Sequence, residues 1–307
     1  MKKISVVVPV YHNEGSLPAL FAELVKVEGT LQPRDLTLEL IFVDDGSGDG
    51  SWRALLEIKR QRAQTKLIKL TRNFGAMHAL KAALPSVTGD CFVFLAADLQ
   101  DPPHLILEMS EHWQKGAKYV VCARTRRADP LRARVFAGIY YRLLRWIVAR
   151  DYPAQGYDLA LMDKAFLPYL QGSSKNINIP LFAYWLGFNP TLIEYERQER
   201  VFGRSRWTFS KRLKFFLDSL LGFSIVPIRI ISAMGLLVSA ASFGYGLLVL
   251  VNALLGRADV RGFSALAALI SFLLGLVIVM LGVIGEYLWR IFDEVNKRPE
   301  AVIDEVV

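Results

Sequence analysis

The sequence has few cysteines and lacks the spacings that cysteine chemistry requires. Among its 307 residues only Cys91 and Cys122 are cysteines, and both fall within predicted strands. Without a CxxC pair, neither a zinc site nor a thioredoxin-like redox motif is expected. We predict two reduced cysteines in the core of a protein that has no disulfide.

A glycine-rich dinucleotide fingerprint is also missing. The first predicted strand, Ile4–Val8, is followed by PVYHNEG and not by GxGxxG. That fingerprint provides the tight turn and the close approach to a pyrophosphate in dinucleotide-binding enzymes. Its absence argues against a dinucleotide-dependent oxidoreductase.

Charge is absent from two long stretches near the C-terminus, residues 230–256 and residues 262–285. Each exceeds the roughly 20 residues that cross a bilayer as a helix, and the mean hydropathy of +0.30 is high for a soluble protein. Buried core helices are the alternative, but such helices seldom run this long without a charge, and both stretches are rich in small residues. We predict two transmembrane helices, at about 230–255 and 262–284.

Lysine and arginine are concentrated on one side of the two predicted spans. The loop between the spans carries only Arg257 and Arg261. The outer flanks carry Arg204, Arg206, Lys211, Arg212, Lys214, Arg229, Arg290, Lys297 and Arg298. The positive-inside rule therefore predicts a multi-pass protein of the inner membrane, with both termini and the N-terminal domain in the cytoplasm. The net charge of +8 is expected to attract anionic lipid head groups and phosphates, and not nucleic acid.

The N-terminal part alternates between short apolar runs and helical patterns. Predicted strands are Ile4–Val8, Leu38–Val43, Leu67–Leu70, Cys91–Ala96 and Tyr119–Cys122, and predicted helices are Leu17–Val27, Trp52–Arg62, Met77–Leu84 and Leu105–Trp113. This alternation predicts an α/β domain with a doubly wound, mostly parallel sheet. The ligand site of such a sheet lies beyond the carboxyl ends of its strands.

Two later segments combine an apolar stripe with basic flanks, within residues 131–150 and residues 213–221. Ordinary surface helices are the alternative, but the basic faces and the nearby spans favour helices in the membrane interface. We expect a catalytic domain at 1–203 that includes the helix 131–150, and a juxtamembrane segment at 204–228. The two spans would then occupy 229–285, followed by a cytoplasmic tail at 286–307.

The segment LAADLQDPP, residues 95–103, carries acids out of a strand. If the strand continues, Asp98 and Gln100 point the same way, because alternate strand residues share a face. A carboxylate and an amide oxygen suit Mg²⁺ or Mn²⁺ when a substrate phosphate supplies further ligands. Helix capping is the alternative, and for Asp101, just before Pro102, it is the expected role.

The end of the second predicted strand is acidic and flexible, with Asp44, Asp45 and Asp49 among glycines and a serine. Carboxylates at a strand end can accept hydrogen bonds from ribose hydroxyls or a base N–H. Asp49 has a second interpretation as the cap of the next helix. Tyr11, after the first strand, is a candidate to stack on a base.

A series of segments in one order carries a family resemblance: VVPVYHNE, FVDDGSGDGS, LTRNFG, GDCFVFLAADLQDPP, GYDLALMDK, WLGF, RVFGRSRW, FSIVPIR and IGEYLWRIFDEVNKRP. From Ile4 to about Pro299 the chain resembles the family 2 glycosyltransferases that act on polyprenyl phosphates, the group of bactoprenol glucosyltransferase and dolichol-phosphate mannose synthase. The resemblance implies a GT-A nucleotide-sugar transferase fold. It also implies inverting transfer of one sugar, from UDP-sugar in preference to GDP-sugar, to a lipid such as undecaprenyl phosphate for cell-envelope glycans. A homo-oligomer, a tetramer in that family, is implied as well.

The same resemblance implies roles for individual residues. It places Mg²⁺ or Mn²⁺ at Asp98 and Gln100, and Asp158 beside the transferred sugar, as a base or an orienting group. The expected nucleotide-sugar site comprises Pro9, Tyr11, Glu14, Asp44, Asp45, Arg72, Gly75 and Asp98. The expected lipid-phosphate site comprises Arg124, Arg134, Arg200, Ser205 and Arg206.

Two positions depart from the family pattern and keep rival functions open. Ala96 replaces the first Asp of the usual Asp-x-Asp, and Ala160 stands where the family has Arg. The loss at Ala96 makes a membrane-anchored binding protein without activity one alternative, which the retained Asp98 and Asp158 oppose. A processive polysaccharide synthase is the other, opposed by having only two spans and by Gly203 in place of the Gln of Gln-x-x-Arg-Trp.

Overall fold

The computed structural model describes residues 1–124, 138, 140–146, 152–153, 156–175, 177–196, 216, 218–219, 221–255 and 262–307. The chain divides into two units. The first contains Met1–Gly222 together with Pro299–Val307, and the second contains Phe223–Arg298.

The first unit is built on a mixed sheet that, within the described residues, has eight strands in the order β7-β5-β6-β4-β1-β2-β3-β8. The strands are β1 Lys2–Val10, β2 Leu36–Asp44, β3 Lys66–Leu70, β4 Cys91–Phe94, β5 Tyr119–Arg124, β6 Tyr157–Asp163, β7 Thr191–Tyr195 and β8 Ile303–Val306. Strands β4, β1, β2 and β3 are parallel to their neighbours in that group, and β5 is parallel to β7. β6 is antiparallel to both of its neighbours, β4 and β5, and β8 is antiparallel to β3. The predicted α/β fold with a mostly parallel sheet is confirmed.

Short helices separate the strands of the first unit. They are α1 Leu17–Leu31, α2 Ser51–Gln61, α3 Ala76–Ala83, α4 Leu105–Gln114, α5 Leu167–Gln171 and α6 Ile179–Trp185. The first four match the predicted helices to within a few residues. Side chains of α1, α2 and α4 join those of the central strands in one buried apolar cluster. Val7, whose side chain lies on the opposite face of β1 from Val6 and Val8, is also fully buried. Both faces of this strand are therefore covered, as a parallel sheet requires. Cys91 and Cys122 are free and buried, as predicted.

The C-terminal segment closes one edge of this sheet. β8 pairs antiparallel with β3, and the Leu67 and Val307 backbones exchange two hydrogen bonds of 2.9 Å. A further bond of 3.0 Å runs from the Thr71 N–H to the Val302 carbonyl. The expected tail at 286–307 therefore differs from the structure, in which its first residues continue a helix and its last residues belong to the first unit.

The second unit contains two long helices, α7 Val226–Leu254 and α8 Phe263–Val295. By length and composition, Val226–Val249 and Phe272–Val295 could each cross a membrane, and neither stretch is buried within the protein. The alternative of buried core helices is therefore wrong. α7 and α8 approach closely where a Cβ at Gly235 would lie 2.7 Å from Met280 Cε. These helices are candidate membrane spans.

The predicted interfacial helices fall mostly outside the described residues. Of the helix expected at 131–150, residues 140–146 are helical. Of the second, expected within 213–221, residues 216, 218–219 and 221 are helical. Their placement in a membrane interface stays a prediction.

A buried acid network joins β1, β2, the start of β3 and the segment that precedes β4. The Glu39 carboxylate accepts hydrogen bonds from Ser5 Oγ (2.5 Å), Thr88 N (2.9 Å) and Thr88 Oγ1 (2.6 Å), and pairs with Lys66 Nζ at 2.8 Å. Burial would raise the pKa of Glu39. The bonds from Lys66, Ser5 and Thr88 outweigh burial and lower that pKa from 4.5 to about 2.

We expect Glu39→Gln to lower the free energy of unfolding by about 3 kcal/mol at pH 7. A depressed carboxyl pKa stabilises the fold fully above about pH 4.5, and this stabilisation is lost as the pH falls toward 2. Urea unfolding of the detergent-solubilised chain at pH 7 and pH 3, followed by tryptophan fluorescence, measures the difference. Glu57→Gln, which removes an exposed partner of Arg60, is the control and should change little. An equal effect of Glu39→Gln at both pH values would contradict this assignment.

Candidate active site

Loops after β1 and β2 meet at the carboxyl edge of the sheet. The Asp45 N–H donates to the Val10 carbonyl at 2.8 Å, and the His12 N–H donates to Ser47 Oγ at 3.0 Å. The Glu14 carboxylate accepts the Gly50 N–H at 3.0 Å. Because these bonds cross between the two loops, the predicted donor-site residues of PVYHNE and DDGSGDG are brought together.

The two adjacent acids of DDGSGDG have different surroundings. Asp45 accepts the N–H groups of Phe74 (2.7 Å) and Gly75 (2.9 Å), one on each carboxylate oxygen. Burial raises the pKa of Asp45, although these two bonds oppose the rise. Asp44 is fully buried, and its Oδ2 accepts the Ser47 N–H at 3.3 Å. Its Oδ1 has no hydrogen-bond partner among the described residues.

Asp45 thus fixes the loop between β3 and α3, which contains Arg72 and Gly75. Gly46 lies against this loop, since a Cβ there would be 2.4 Å from the Arg72 carbonyl carbon. Gly46 also has φ +67°, which favours glycine. The Arg72 guanidinium stacks over the Phe74 ring at 4.4 Å. Three strand ends, from β1, β2 and β3, therefore form one continuous wall.

The acidic segment after β4 is a turn and not an extended strand. β4 ends at Phe94, and Leu99 has a left-handed φ of 59°. The expectation that the strand runs to Ala96 and directs Asp98 and Gln100 by alternation is therefore wrong. The turn still holds the two residues together, because Asp98 Oδ1 accepts the Gln100 N–H at 3.2 Å.

This turn supplies one carboxylate and one amide as oxygen donors. Within the described part of the chain no group of three or more His, Cys, Asp or Glu residues is arranged to hold a metal ion. Asp98 and Gln100 are both partly exposed. Such a donor pair fits a hard divalent ion that takes its remaining ligands from a diphosphate and from water.

A second cluster lies where β5, β6 and β7 are neighbours. Arg124 ends β5 and pairs in register with Tyr195, which ends β7, while Asp158 is the second residue of β6. The Arg124 guanidinium donates to both oxygens of Asp158, with Nη2 to Oδ1 at 2.5 Å and Nε to Oδ2. The Tyr195 hydroxyl lies 3.3 Å from Asp158 Oδ2. The Asp158 side chain is 23% exposed, so a substrate can reach it.

The Tyr195 hydroxyl also donates to Asp101 Oδ1 at 2.6 Å. Asp101 is buried, and the residue that caps α4 is His104, without a side-chain bond. The expectation that Asp101 caps the following helix is therefore wrong. Burial and the nearby Asp101 and Asp158 carboxylates raise the pKa of Tyr195 above its ordinary value, so this hydroxyl is a neutral donor.

Burial lowers the pKa of Arg124, but its pairing with Asp158 raises the pKa above the ordinary value overall. The guanidinium is therefore a permanent cation beside Asp158. Ala160, the position where the family resemblance would place an arginine, is buried on β6. The positive charge that pairs with Asp158 comes instead from Arg124 on the neighbouring strand β5.

The remaining predicted site residues divide into two groups. Pro9, in β1, and Tyr11, just after it, are partly buried at the edge formed by the strand ends. Arg134, Arg200, Ser205 and Arg206 lie outside the described residues. Asp49 accepts the N–H of Ser51, the first residue of α2, at 3.1 Å, but the residue that caps this helix is Gly50.

A sequence comparison decides the family. The profile described as glycosyl transferase family 2 matches residues 5–161, more than half of the chain. This chain is a family 2 glycosyltransferase. The matched range runs from β1 into β6 and contains the acidic turn, Arg124 and Asp158.

Relatives align with this glycosyltransferase along nearly its whole length. The uncharacterized glycosyltransferase YkcC of Bacillus subtilis is 35% identical, covering 98% of this chain and 93% of that protein. The SfII prophage-derived bactoprenol glucosyl transferase of Shigella flexneri is 32% identical, covering 98% and 97%. The predicted membership of the family 2 enzymes is confirmed.

A solved structure has a similar fold. The mannosyltransferase of Pyrobaculum calidifontis, in complex with GDP-Man and Mn²⁺, superimposes with a TM-score of 0.51 at 23% identity. The match covers 71% of this chain and 63% of that one. The GT-A-like α/β fold of this glycosyltransferase is thereby confirmed.

Proposed function

We propose that this glycosyltransferase transfers one sugar, with inversion, from a UDP-sugar to a polyprenyl phosphate such as undecaprenyl phosphate. The observation that carries the proposal is the pair of acidic sites, Asp98 with Gln100 and Asp158 with Arg124, in a chain with two candidate membrane spans. The bactoprenol glucosyl transferases among its relatives support the lipid acceptor. The product would be a polyprenyl-monophosphate sugar used in cell-envelope glycans.

The donor nucleotide would bind along the wall formed by the ends of β1, β2 and β3. Asp44 Oδ1 is buried without a partner among the described residues, and such an oxygen is costly unless it accepts a hydrogen bond. A base or ribose donor group would satisfy it. Asp45, whose two oxygens already accept backbone N–H groups, would shape the wall. Tyr11 and Arg72 would flank the nucleotide.

Asp98 and Gln100 would hold Mg²⁺ or Mn²⁺ against the donor's diphosphate. When bound, such an ion neutralises charge that develops on the departing diphosphate. Asp98 is the charged ligand of this pair, and Ala96 adds none. The presence of Mn²⁺ with the Pyrobaculum mannosyltransferase agrees with this proposal.

The acceptor phosphate needs positioning more than activation. A phosphate monoester has a second pKa near 6, so at pH 7 it is mostly a dianion and already a nucleophile. The enzyme would hold it in line with the anomeric carbon. Arg200, Ser205 and Arg206, together with Arg134, would bind this phosphate, since arginine suits bidentate phosphate contacts.

Asp158 would orient the acceptor or a sugar hydroxyl, or accept a proton. Arg124, assigned from the sequence to the lipid phosphate, is instead paired with Asp158 in the structure. We therefore propose that Arg124 and Tyr195 fix the Asp158 carboxylate and that the phosphate contacts come from the other arginines.

We further propose that α7 and α8 span the inner membrane with the catalytic unit in the cytoplasm, following the positive-inside rule. The active form would be a homo-oligomer, a tetramer by family resemblance. Cross-linking in membranes tests the oligomer, and protease accessibility in inside-out vesicles tests the orientation.

The transfer reaction is tested with radiolabelled UDP-glucose, UDP-N-acetylglucosamine and GDP-mannose, each incubated with the enzyme, Mn²⁺ and undecaprenyl phosphate. We expect label from a UDP-sugar in the organic phase as a lipid-linked monosaccharide. Omitting the lipid is the control. Polymer in the aqueous phase would support a processive synthase, and no transfer from any donor would contradict the proposal.

We expect Ala96→Asp to strengthen Mn²⁺ binding in the absence of nucleotide. A divalent ion gains several kcal/mol from a nearby carboxylate before desolvation is subtracted, and the wild-type turn lacks this acid. Wild-type Mn²⁺ binding should therefore depend on the diphosphate of UDP. Calorimetric titration of Mn²⁺ into both proteins, with and without UDP, measures this dependence.

Residue 96 lies beyond the end of β4. Ala96→Asn serves as the control, because Asn has a size similar to that of Asp but carries no charge. Equal Mn²⁺ affinity of the wild type with and without UDP would show that the site does not depend on the donor.

A further inference from the structure

The C-terminal segment brings a carboxylate to α3. Glu300 follows the end of α8 by five residues and belongs to the first unit. Its Oε1 accepts a hydrogen bond from Lys81 Nζ at 2.6 Å, and its Oε2 lies 3.7 Å from His78 Nδ1. Glu300 Oε2 and His78 Nδ1 are buried and have no hydrogen-bond partner among the described residues. Residues after both candidate spans are therefore fixed to a helix of the catalytic unit.

Lys81 joins three segments at this point. Its ammonium also donates to the carbonyls of Ser173 and Ser174, each at 3.0 Å, in the segment after α5. The Lys81 side chain is only 7% exposed, and a buried ammonium is costly unless it is paired. Loss of the Glu300 carboxylate would leave this charge with carbonyl partners alone. The position of α3 thus depends on the C-terminal segment.

β8 itself provides little apolar burial. The side chains of Ile303–Val306 are exposed, and the pairing with β3 consists of backbone hydrogen bonds. Asp304, on the same strand, lies 3.6 Å from Lys69 Nζ in an exposed ion pair. Exposed pairs contribute little to stability. Glu300 is therefore the polar anchor that links this segment to α3.

The other end of α3 belongs to the donor wall. Gly75, which precedes the helix, and Phe74 donate their N–H groups to Asp45. α3 is a single short helix, so a shift near Lys81 is transmitted to Gly75 and to the Arg72 loop. Asp45 at the amino end and Glu300 along the helix together set where this wall stands.

We propose that Glu300 is a positioning residue of the donor site, so that the affinity for a nucleoside diphosphate depends on a residue that follows both candidate spans. The inference rests on the proposed function, since it requires the Asp45, Arg72 and Gly75 wall to bind the nucleotide. Glu300 makes no contact with the donor. It acts through His78, Lys81 and the start of α3.

The test uses the full chain in detergent with Mn²⁺, and calorimetric titration of UDP and, separately, of GDP. We expect Glu300→Ala to weaken binding of the nucleotide that the wild type prefers by about tenfold. The KM for the nucleotide sugar should rise by a similar factor, with kcat and the KM for polyprenyl phosphate unchanged. Glu300→Gln should have a smaller effect, because its amide oxygen still accepts from Lys81. Asp304→Asn, a carboxylate change on the same segment, should match the wild type.

Thermal melting distinguishes positioning from a loss of the fold. If Glu300→Ala melts early, Glu300→Gln carries the test. Nucleotide affinity equal to wild type in both variants, or an equal loss for donor and acceptor, would overturn the inference and leave the proposed function in place. If the wild type transfers sugar but Asp304→Asn weakens nucleotide binding as Glu300→Ala is expected to do, the inference would also be overturned. Binding of neither UDP nor GDP by the wild type would reject both.

Discussion

Asp98→Ala is expected to reduce sugar transfer by about 10³-fold, the scale of losing one preorganised electrostatic contact to a transition state. Asp98 is the charged member of the proposed metal pair, and Ala96 offers no second carboxylate. The decrease should persist in saturating Mn²⁺ or Mg²⁺, because the ion would lose its charged protein ligand. Initial rates of lipid-linked sugar formation across a metal titration measure the effect.

The matched control for Asp98 lies at the other end of the same strand. Asp90, which precedes β4, accepts the Lys3 N–H at 3.1 Å and pairs with Lys164 at 3.3 Å. Asp90→Ala should leave transfer close to wild type. Both variants should melt within about 2 °C of the wild type, as surface changes usually do. More than a tenth of wild-type activity in Asp98→Ala would remove Asp98 from the metal site.

Asp158→Asn is expected to lower kcat by about 10²-fold to 10³-fold while the KM for the nucleotide sugar stays nearly constant. The amide keeps the size of the carboxylate, and its one oxygen can still accept a hydrogen bond from Arg124, so the site loses the charge and one of the two Arg124 bonds. Steady-state kinetics with both substrates varied measure these parameters. A large rise in the KM for the sugar donor with unchanged kcat would show that Asp158 serves binding instead.

The pH dependence of kcat/KM separates two roles for Asp158. If the carboxylate accepts a proton during transfer, the fall of kcat/KM at low pH that its protonation causes should be absent in Asp158→Asn. If it orients the acceptor or the sugar, the variant should keep the shape of the profile at a lower height. Tyr195→Phe, which removes the hydroxyl shared with Asp101, should cost about tenfold and keep the shape in either case.

The first five strands could be predicted because each is a short, β-branched apolar run between helical patterns. Buried parallel strands have this composition whatever their partners, so Leu38–Val43 was placed within the observed Leu36–Asp44. The convergence of their carboxyl ends followed from the parallel arrangement alone. The wall formed by the ends of β1, β2 and β3 was therefore accessible to sequence reasoning.

Strands β6, β7 and β8 were not predicted, because their pairing depends on distant segments. Every side chain of Ile303–Val306 is exposed, so no alternation of apolar and polar residues indicates that this segment belongs to a sheet. β7, with the sequence TLIEY, does carry a weak alternating signal. Because β7 is not predicted, Tyr195 and its hydrogen bond to Asp101 are not predicted either.

The turn after β4 shows a different limit of sequence reasoning. Strand alternation is a local rule, and it fails where Leu99 takes a left-handed conformation. Non-glycine residues rarely do so, and no residue type in LAADLQD indicates a left-handed conformation. Asp98 and Gln100 are joined by a hydrogen bond from the Gln100 N–H to the Asp98 carboxylate, and not by the strand alternation that the sequence predicts.

The position of β8 in the chain has a consequence for biosynthesis. β3 is made early and remains an open sheet edge until Ile303–Val306 leaves the ribosome, after α7 and α8 have both been translated. Open edges promote aggregation, and pairing between distant segments slows folding. The nascent first unit would therefore remain incomplete at this edge while the two candidate spans are being synthesised.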